Sequence, residues 1–196
     1  MAEHLLDYTM TDQLHHGQKV SNMAYMIAKK MGLPEDECYD LAVAGLLHDI
    51  GKTVLKDEIG HENPMIVEEM KYIRQHPTKG YEILKRHHFD DYICESVLYH
   101  HENWDGSGYP FNLREYDIPV GACILRVCDV FCALTDDRPY RAAFAPDSAI
   151  RMMIQEIKNY NVEVFLALQY VLHDNPERTV KLPETCIDVR GELLKL

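Results

Sequence analysis

Nowhere does this 196-residue chain run apolar for the roughly 20 residues that a membrane-spanning helix needs; Leu41–Leu47, one of its longer apolar runs, is broken by Gly45. The opening Met1-Ala2-Glu3-His4 has neither the basic start nor the apolar core of a secretory signal. Positive charge is scarce: 20 Lys and Arg face 32 Asp and Glu, a net charge of −12. Nucleic acid polymers and anionic membranes are therefore unsuitable partners. An anionic substrate would have to be captured by metal ions and a few placed basic side chains. The six cysteines include no CxxC pair and sit mostly in apolar helical contexts, so reduced, buried thiols in a reducing compartment are expected. A cytoplasmic protein is the simplest reading. Repeats, low-complexity tracts and linkers are missing as well, and the length suits one domain with a sizeable core. The functional pattern begins near residue 12, so an attached sensory domain is not expected.

What the chain does have is helical periodicity. Leu14, Val20, Met23, Ile27 and Met31 fall near one stripe of a helix over Asp12–Met31, and Gly32 supplies a stop. Pro34-Glu35-Asp36 opens a second helix that leads into His48-Asp49, with Gly51 expected to end it. Pro64 is expected to begin a third helix and Pro77 a fourth, while Asp90–His101 reads as a fifth. Gly106, Gly108, Pro110 and Asn112 make residues 102–117 a loop. From Ile118 a long buried helix carries Asp129 among Ile124, Leu125, Val127, Val130, Phe131 and Leu134. Pro146–Lys158 and Val162–Leu172 complete the set, and Thr179–Leu196 alternates weakly, as a short hairpin or a partner-contacting tail would. The expected fold is all-α: one helical bundle, with at most a short β hairpin at its C-terminus.

Histidine is the outlier, with eleven in a small acidic domain. Taken singly, His48 reads as an ordinary surface or hydrogen-bonded histidine, and His76 before Pro77 as a helix-end residue. His4, His15, His61, His87, His88 and His173 fit no pattern and are read as surface or packing residues, and Trp104 as packing. Asp49, directly after His48 and followed by Gly51-Lys52, shifts the balance. Asp129 is the sharpest single residue, because a carboxylate within an apolar helix is costly unless it is paired or bound to metal.

Neighbouring helix residues point about 100° apart, so His48-Asp49 cannot chelate one ion as an i, i+4 pair does. The histidine can instead bind one metal while the carboxylate bridges to a second. His100-His101 can direct one or both imidazoles into the same centre. With His16, His76 and Asp129 the chain offers five imidazoles and two carboxylates, a mixture suited to Fe, Mn, Zn or Ni more than to Mg or Ca. Two such ions roughly 3.5–4 Å apart can hold a bridging hydroxide and clamp a phosphate oxygen, the arrangement for in-line phosphodiester hydrolysis. Lys52, one turn on, is placed to neutralise charge on the phosphoryl oxygens or the leaving group.

His48-Asp49-Ile50-Gly51-Lys52 and His100-His101-Glu102-Asn103-Trp104-Asp105-Gly106-Ser107-Gly108-Tyr109-Pro110 together resemble the HD-GYP branch of the HD-domain metal-dependent phosphohydrolases. The likeness extends to His16-Gly17-Gln18-Lys19-Val20, Arg74-Gln75-His76-Pro77 and the stretch from Asp129 to Arg141, and so covers residues 12 to 172. It implies an HD-type helical domain over those residues, with an N-terminal extension (1–11) and a C-terminal tail (173–196). It also implies a centre of two or three divalent ions, most often Fe or Mn, and hydrolysis of cyclic di-GMP to the linear dinucleotide, in many members onward to GMP. By resemblance, His16, His48, Asp49, His76, His100, His101 and Asp129 are metal ligands, and Asp49 and Lys52 carry the chemistry. Lys52 touches the scissile phosphate; Gly108, Tyr109 and Pro110 line the pocket and contact signalling partners; Arg138 and Arg141 grip phosphate or guanine edges.

Trinuclear members carry a glutamate one turn before the first histidine, where this chain has the shorter Asp12. That residue is a third-metal ligand or simply a first-turn acid, with Thr11 or Asp12 capping the helix. Asn103 replaces the arginine usual after His-His-Glu, and Asn159–Glu163 stands in for the family's Gly-x-x-Phe-Asp-Pro. The alternatives are action on another cyclic dinucleotide or nucleotide phosphoester, or a non-catalytic module that senses a nucleotide or binds a partner. Oligomeric state is not legible.

Overall fold

A computed structural model describes residues 10–59, 73–137, 141–174, 185–187 and 193–195. Helices dominate it, and they follow the apolar spacing. α1 (Met10–Met31) buries Val20, Met23, Ala24, Ile27 and Ala28 along one stripe. Leu14, expected on that stripe, is 51% exposed. It lies about 200° around the helix from His16, so turning His16 inward turns Leu14 out. α1 starts at Met10, two residues earlier than expected. Thr11 and Asp12 are therefore inside its first turn and neither occupies the cap.

α2 (Glu35–Leu47) buries Cys38, Leu41, Ala44 and Gly45 and ends with His48 as its C-cap. Gly51 does not end this helix, as expected from sequence; it opens α3 (Gly51–Ile59). A side chain there would meet the His76 carbonyl oxygen at 2.0 Å, so the glycine is required by close approach of α3 to the next helix, not by a helix stop. The helix expected from Pro64 lies outside the described residues. α4 (His76–Arg86) and α5 (Asp91–Tyr99) follow, the latter capped by Asp90, whose carboxylate accepts from the Tyr92 amide at 3.0 Å.

α6 (Val120–Thr135) is the central element. It packs on α1, α2, α5, α7 (Pro146–Gln155) and α8 (Val162–Asp174). Its buried residues include Ile124, Leu125, Val127, Cys128 and Phe131, each large aliphatic or aromatic one contributing about 1.5–3 kcal/mol relative to exposure. Cys38, Cys94, Cys123, Cys128 and Cys132 are free and buried. The last described segments pair as an antiparallel hairpin, β1 (Thr185–Ile187) against β2 (Leu193–Lys195), with Cys186 opposite Leu194. No helix among the described residues is long and apolar enough to cross a membrane.

Candidate metal centre

Five helices deliver side chains to one place. α1 supplies His16, the end of α2 supplies His48 and Asp49, and the first residue of α4 is His76. The end of α5 supplies His100 and His101, and α6 supplies Asp129. The rings form a continuous set: His16–His48 and His48–His100 centroids are 5.3 Å apart, His76–His100 5.1 Å and His100–His101 4.2 Å. Two groups of potential donors stand out, His16/His48/Asp49 and His76/His100/His101, the atoms in each lying within 4.8 Å of one another. Asp49 spans them. Its Oδ2 is 3.4 Å from His48 Nε2 and its Oδ1 is 3.3 Å from His76 Nε2.

The hydrogen bonds fix how the rings present their lone pairs. His48 Nδ1 lies 2.8 Å from the Gly45 carbonyl, His76 Nδ1 2.6 Å from that of Ile73, and His100 Nδ1 2.6 Å from that of Val97. A carbonyl only accepts, so each Nδ1 carries a proton, which leaves Nε2 as the nitrogen each ring turns inward for a metal. His76 Nε2 and His100 Nε2 then face each other at 3.2 Å. Two lone pairs at that distance repel unless a cation lies between or beside them. Protonation is a poor answer. Burial pushes His76 down to about 4, and burial with neighbouring His76 and His48 pushes His100 well below the ordinary imidazole range. His48 Nε2 and Asp49 Oδ1, both buried, have no hydrogen-bond partner among the described residues. Orphaned nitrogen and carboxylate atoms converging in a dry site are what a divalent transition metal would satisfy. The donor set fits the ion.

His16 behaves differently. Its Nε2 is 3.0 Å from Asp129 Oδ1 and its Nδ1 is 3.0 Å from Asp136 Oδ2. Burial alone would lower its pKa, but the hydrogen bonds to the two carboxylates outweigh that and raise it to about 9. Asp49 and Asp129 are held well below the usual carboxylate range although burial opposes ionisation. For Asp49 the Lys52 charge leads the opposing effects, and for Asp129 the His16 hydrogen bond does. Lys52 Nζ donates to Asp49 Oδ2 at 2.6 Å.

The loop after α5 closes over His101. Glu102 is buried and accepts from the Phe111 amide at 2.6 Å and the Leu113 amide at 3.1 Å. Tyr109 N donates to the His101 carbonyl, and the Tyr109 ring stacks on the His101 imidazole at 4.7 Å. Gly108 passes so close to the backbone of Glu102 and Asn103 that a Cβ would lie 2.2 Å from the Asn103 nitrogen. Pro110 follows through a cis peptide bond. Trp104 packs against the core and meets Tyr116 edge-on at 5.2 Å.

Other expected site residues stand elsewhere. Asp12 is exposed in the first turn of α1, one turn before His16. Arg138 lies outside the described residues. Arg141 donates to the carbonyls of Ala133, Leu134 and Ala142 and stacks over Phe144; its guanidinium closes the C-terminal end of α6. Sequence reasoning gave no role to Asp136, which orients His16 and receives the Lys19 ammonium. A signal existed. Asp136 is seven residues, two helical turns, beyond Asp129, and Lys19 lies one turn beyond His16.

A family model described as HD domain matches residues 1–164. The chain belongs to the HD-domain family. It is 35% identical over 178 residues to a cyclic di-GMP phosphodiesterase of Thermotoga maritima, covering 87% of this chain and 48% of that one. Against a cyclic di-GMP phosphodiesterase response regulator of Xanthomonas campestris it is 38% identical over 136 residues, 68% of this chain and 36% of that one. The chain thus spans about half or less of the length of these curated relatives. Among solved structures, a cyclic GMP-AMP-specific phosphodiesterase of Vibrio cholerae superposes with a TM-score of 0.69 at 18% identity, over 91% of this chain and 49% of that one. An HDGYP protein of Bdellovibrio bacteriovorus superposes at 0.66 with 23% identity, over 86% and 56%. This HD-domain chain shares its helical fold with both, and the HD-GYP likeness read from its motifs agrees with these neighbours.

Proposed function

We propose that this HD domain is the catalytic unit of a metal-dependent phosphodiesterase that opens cyclic di-GMP to the linear dinucleotide, with onward cleavage to GMP as a second step. The observation that carries the reading is the pair of bare Nε2 atoms of His76 and His100, 3.2 Å apart, beside the unpartnered Nε2 of His48 and Oδ1 of Asp49. His16, His48 and Asp49 would hold one divalent ion, His76, His100 and His101 another, with Asp49 shared and Asp129 beside His16; Fe or Mn suits the mixed nitrogen and oxygen donors. Bound there, such ions supply Lewis-acid polarisation of a phosphoryl oxygen and an acidified water. A third ion would rest on Asp12, whose shorter carboxylate stands exposed one turn before His16.

The chain's own residues do the rest. Asp49, held ionised, gathers Lys52 into the site, and the ammonium is there to offset charge on the phosphate or on the leaving oxygen. Gly108, Tyr109 and Pro110 form a wall against His101, fixed by Glu102, and the exposed Phe111 beside them offers a contact for signalling partners. We assign residues 12–172 to the catalytic domain, with 1–11 as an extension and 173–196 as a tail. Five buried, free thiols suit a reducing, cytoplasmic setting.

A second reading keeps the chemistry and changes the base. It is favoured by relatives named 3'3'-cGAMP-specific phosphodiesterases in Vibrio cholerae, one of them 36% identical over 144 residues. Hydrolysis of cyclic di-GMP and cyclic GMP-AMP by Fe- or Mn-loaded protein, prepared without oxygen and resolved by chromatography, tests both. A linear dinucleotide from cyclic di-GMP supports the first reading and turnover of cyclic GMP-AMP alone the second. Neither product, with metal present in the sample, refutes both.

A further inference from the structure

A guanidinium stands at the centre with no carboxylate on it. Arg126 lies on α6, three residues before Asp129 and so on nearly the same helix face. It is half-buried. Its Nε donates to Asn103 Oδ1 at 3.1 Å, and its Nη1 reaches His101 Nδ1 at 3.4 Å. Among the described residues, no carboxylate lies within ion-pair distance of it and no acceptor meets its Nη2. Of the other cations near the centre, Lys19 pairs with Asp136 and Arg141 with the carbonyls that end α6, while Lys52, on Asp49, is the ammonium already assigned to the phosphate. A partly buried cation without counter-charge is costly, and the planar fork of Arg matches the oxygens of a phosphate.

Two further details point the same way. At His48, His76 and His100 the Nδ1 atom faces a carbonyl, whereas at His101 it faces a donor. The His101 side of the centre thus has a guanidinium at its rim. The side-chain oxygen of Asn103, on the loop after α5, receives Arg126 and holds the guanidinium beside His101.

We propose that Arg126 is a substrate-contacting residue that binds a phosphate oxygen on the His101 side of the centre, as Lys52 does on the Asp49 side. The inference rests on the phosphodiesterase reading, yet it can fail separately. The test compares Arg126→Gln, Arg126→Ala and Arg126→Lys with wild type in three measurements: metal content, affinity of the metal-loaded protein for inorganic phosphate, and KM and kcat on cyclic di-GMP. Gln keeps an amide N–H near the position of the Arg Nε, toward Asn103, and loses the charge and the reach to His101. The expected result is wild-type metal content, phosphate binding weakened about tenfold in Gln and Ala and about threefold in Lys, and KM raised in the same order. Wild-type phosphate affinity in Arg126→Gln overturns the proposal. So does loss of metal in Gln and Lys, which would make Arg126 a support for His101, and so does failure of metal-loaded wild type to bind phosphate. If wild type turns over no cyclic dinucleotide, the functional reading falls while the phosphate affinities still decide the role of Arg126.

Discussion

The two halves of the centre are built from the same imidazoles but prepared in opposite ways. Among the described residues the His76/His100/His101 half has no carboxylate of its own; burial lowers the pKa of all three rings, His76 and His100 turn bare Nε2 atoms inward, and the His101 Nδ1 meets Arg126. On the other half His16 sits between Asp129 and Asp136 and holds a proton up to about pH 9. One half is ready for a cation; the other already carries a positive charge that a cation must displace. Similar residue types therefore do not make equivalent sites, and the hydrogen-bond partner of each ring decides which kind it is.

Three experiments would break or sharpen that contrast. The largest effect is expected from Asp49→Ala, because Asp49 reaches both halves: metal content should fall on both sides and turnover drop on the order of 10³-fold. Retention of full metal content, read by elemental analysis, would show that the halves do not depend on Asp49. Next comes Asp136→Ala, which removes the bonds to His16 and Lys19. It should weaken metal binding in the His16 half by about 10–100-fold and leave the other half unchanged; equal weakening of both phases of a metal titration would erase the distinction. The smallest effect is on pH. Metal binding beside His16 should strengthen by about tenfold per pH unit below about 9, since each ion expels a proton. Binding beside His76, already deprotonated above about 4, should be flat near neutrality. Calorimetry in buffers of different protonation heat would show proton release for one phase and none for the other.

Much of this was legible from residue order. Buried apolar spacing placed α1, α2, α4, α5, α6, α7 and α8 in a helical protein, and the structure brings together His16, His48, Asp49, His76, His100, His101 and Asp129, all singled out beforehand. Helix ends were less legible, because they are set by contacts between elements. Gly51 looks like a stop on its own helix, and only the His76 carbonyl pressed against it shows that it starts the next one. Asp136 lies two turns beyond Asp129, a spacing that hints at the shared face but does not tell that it meets a ring 120 residues away. Arg126 was readable in principle. A charged residue inside an apolar helix raises the same question as Asp129, and its neighbour Asn103 gives the answer only in three dimensions.

The carbonyl bonds of His48, His76 and His100 all run to the residue three positions earlier. Each ring is therefore steered by its own turn of backbone, with no help from the rest of the molecule. Freezing a side chain ordinarily costs up to about 1–2 kcal/mol of conformational entropy when a site assembles. Here much of that loss is incurred locally, as each helix end forms, and docking the helices has mainly to bring finished pieces to the right distance. A metal ion arriving late meets these three ligands already aimed, whereas His16 takes its aim from Asp129 and Asp136 only once α1 and α6 have met.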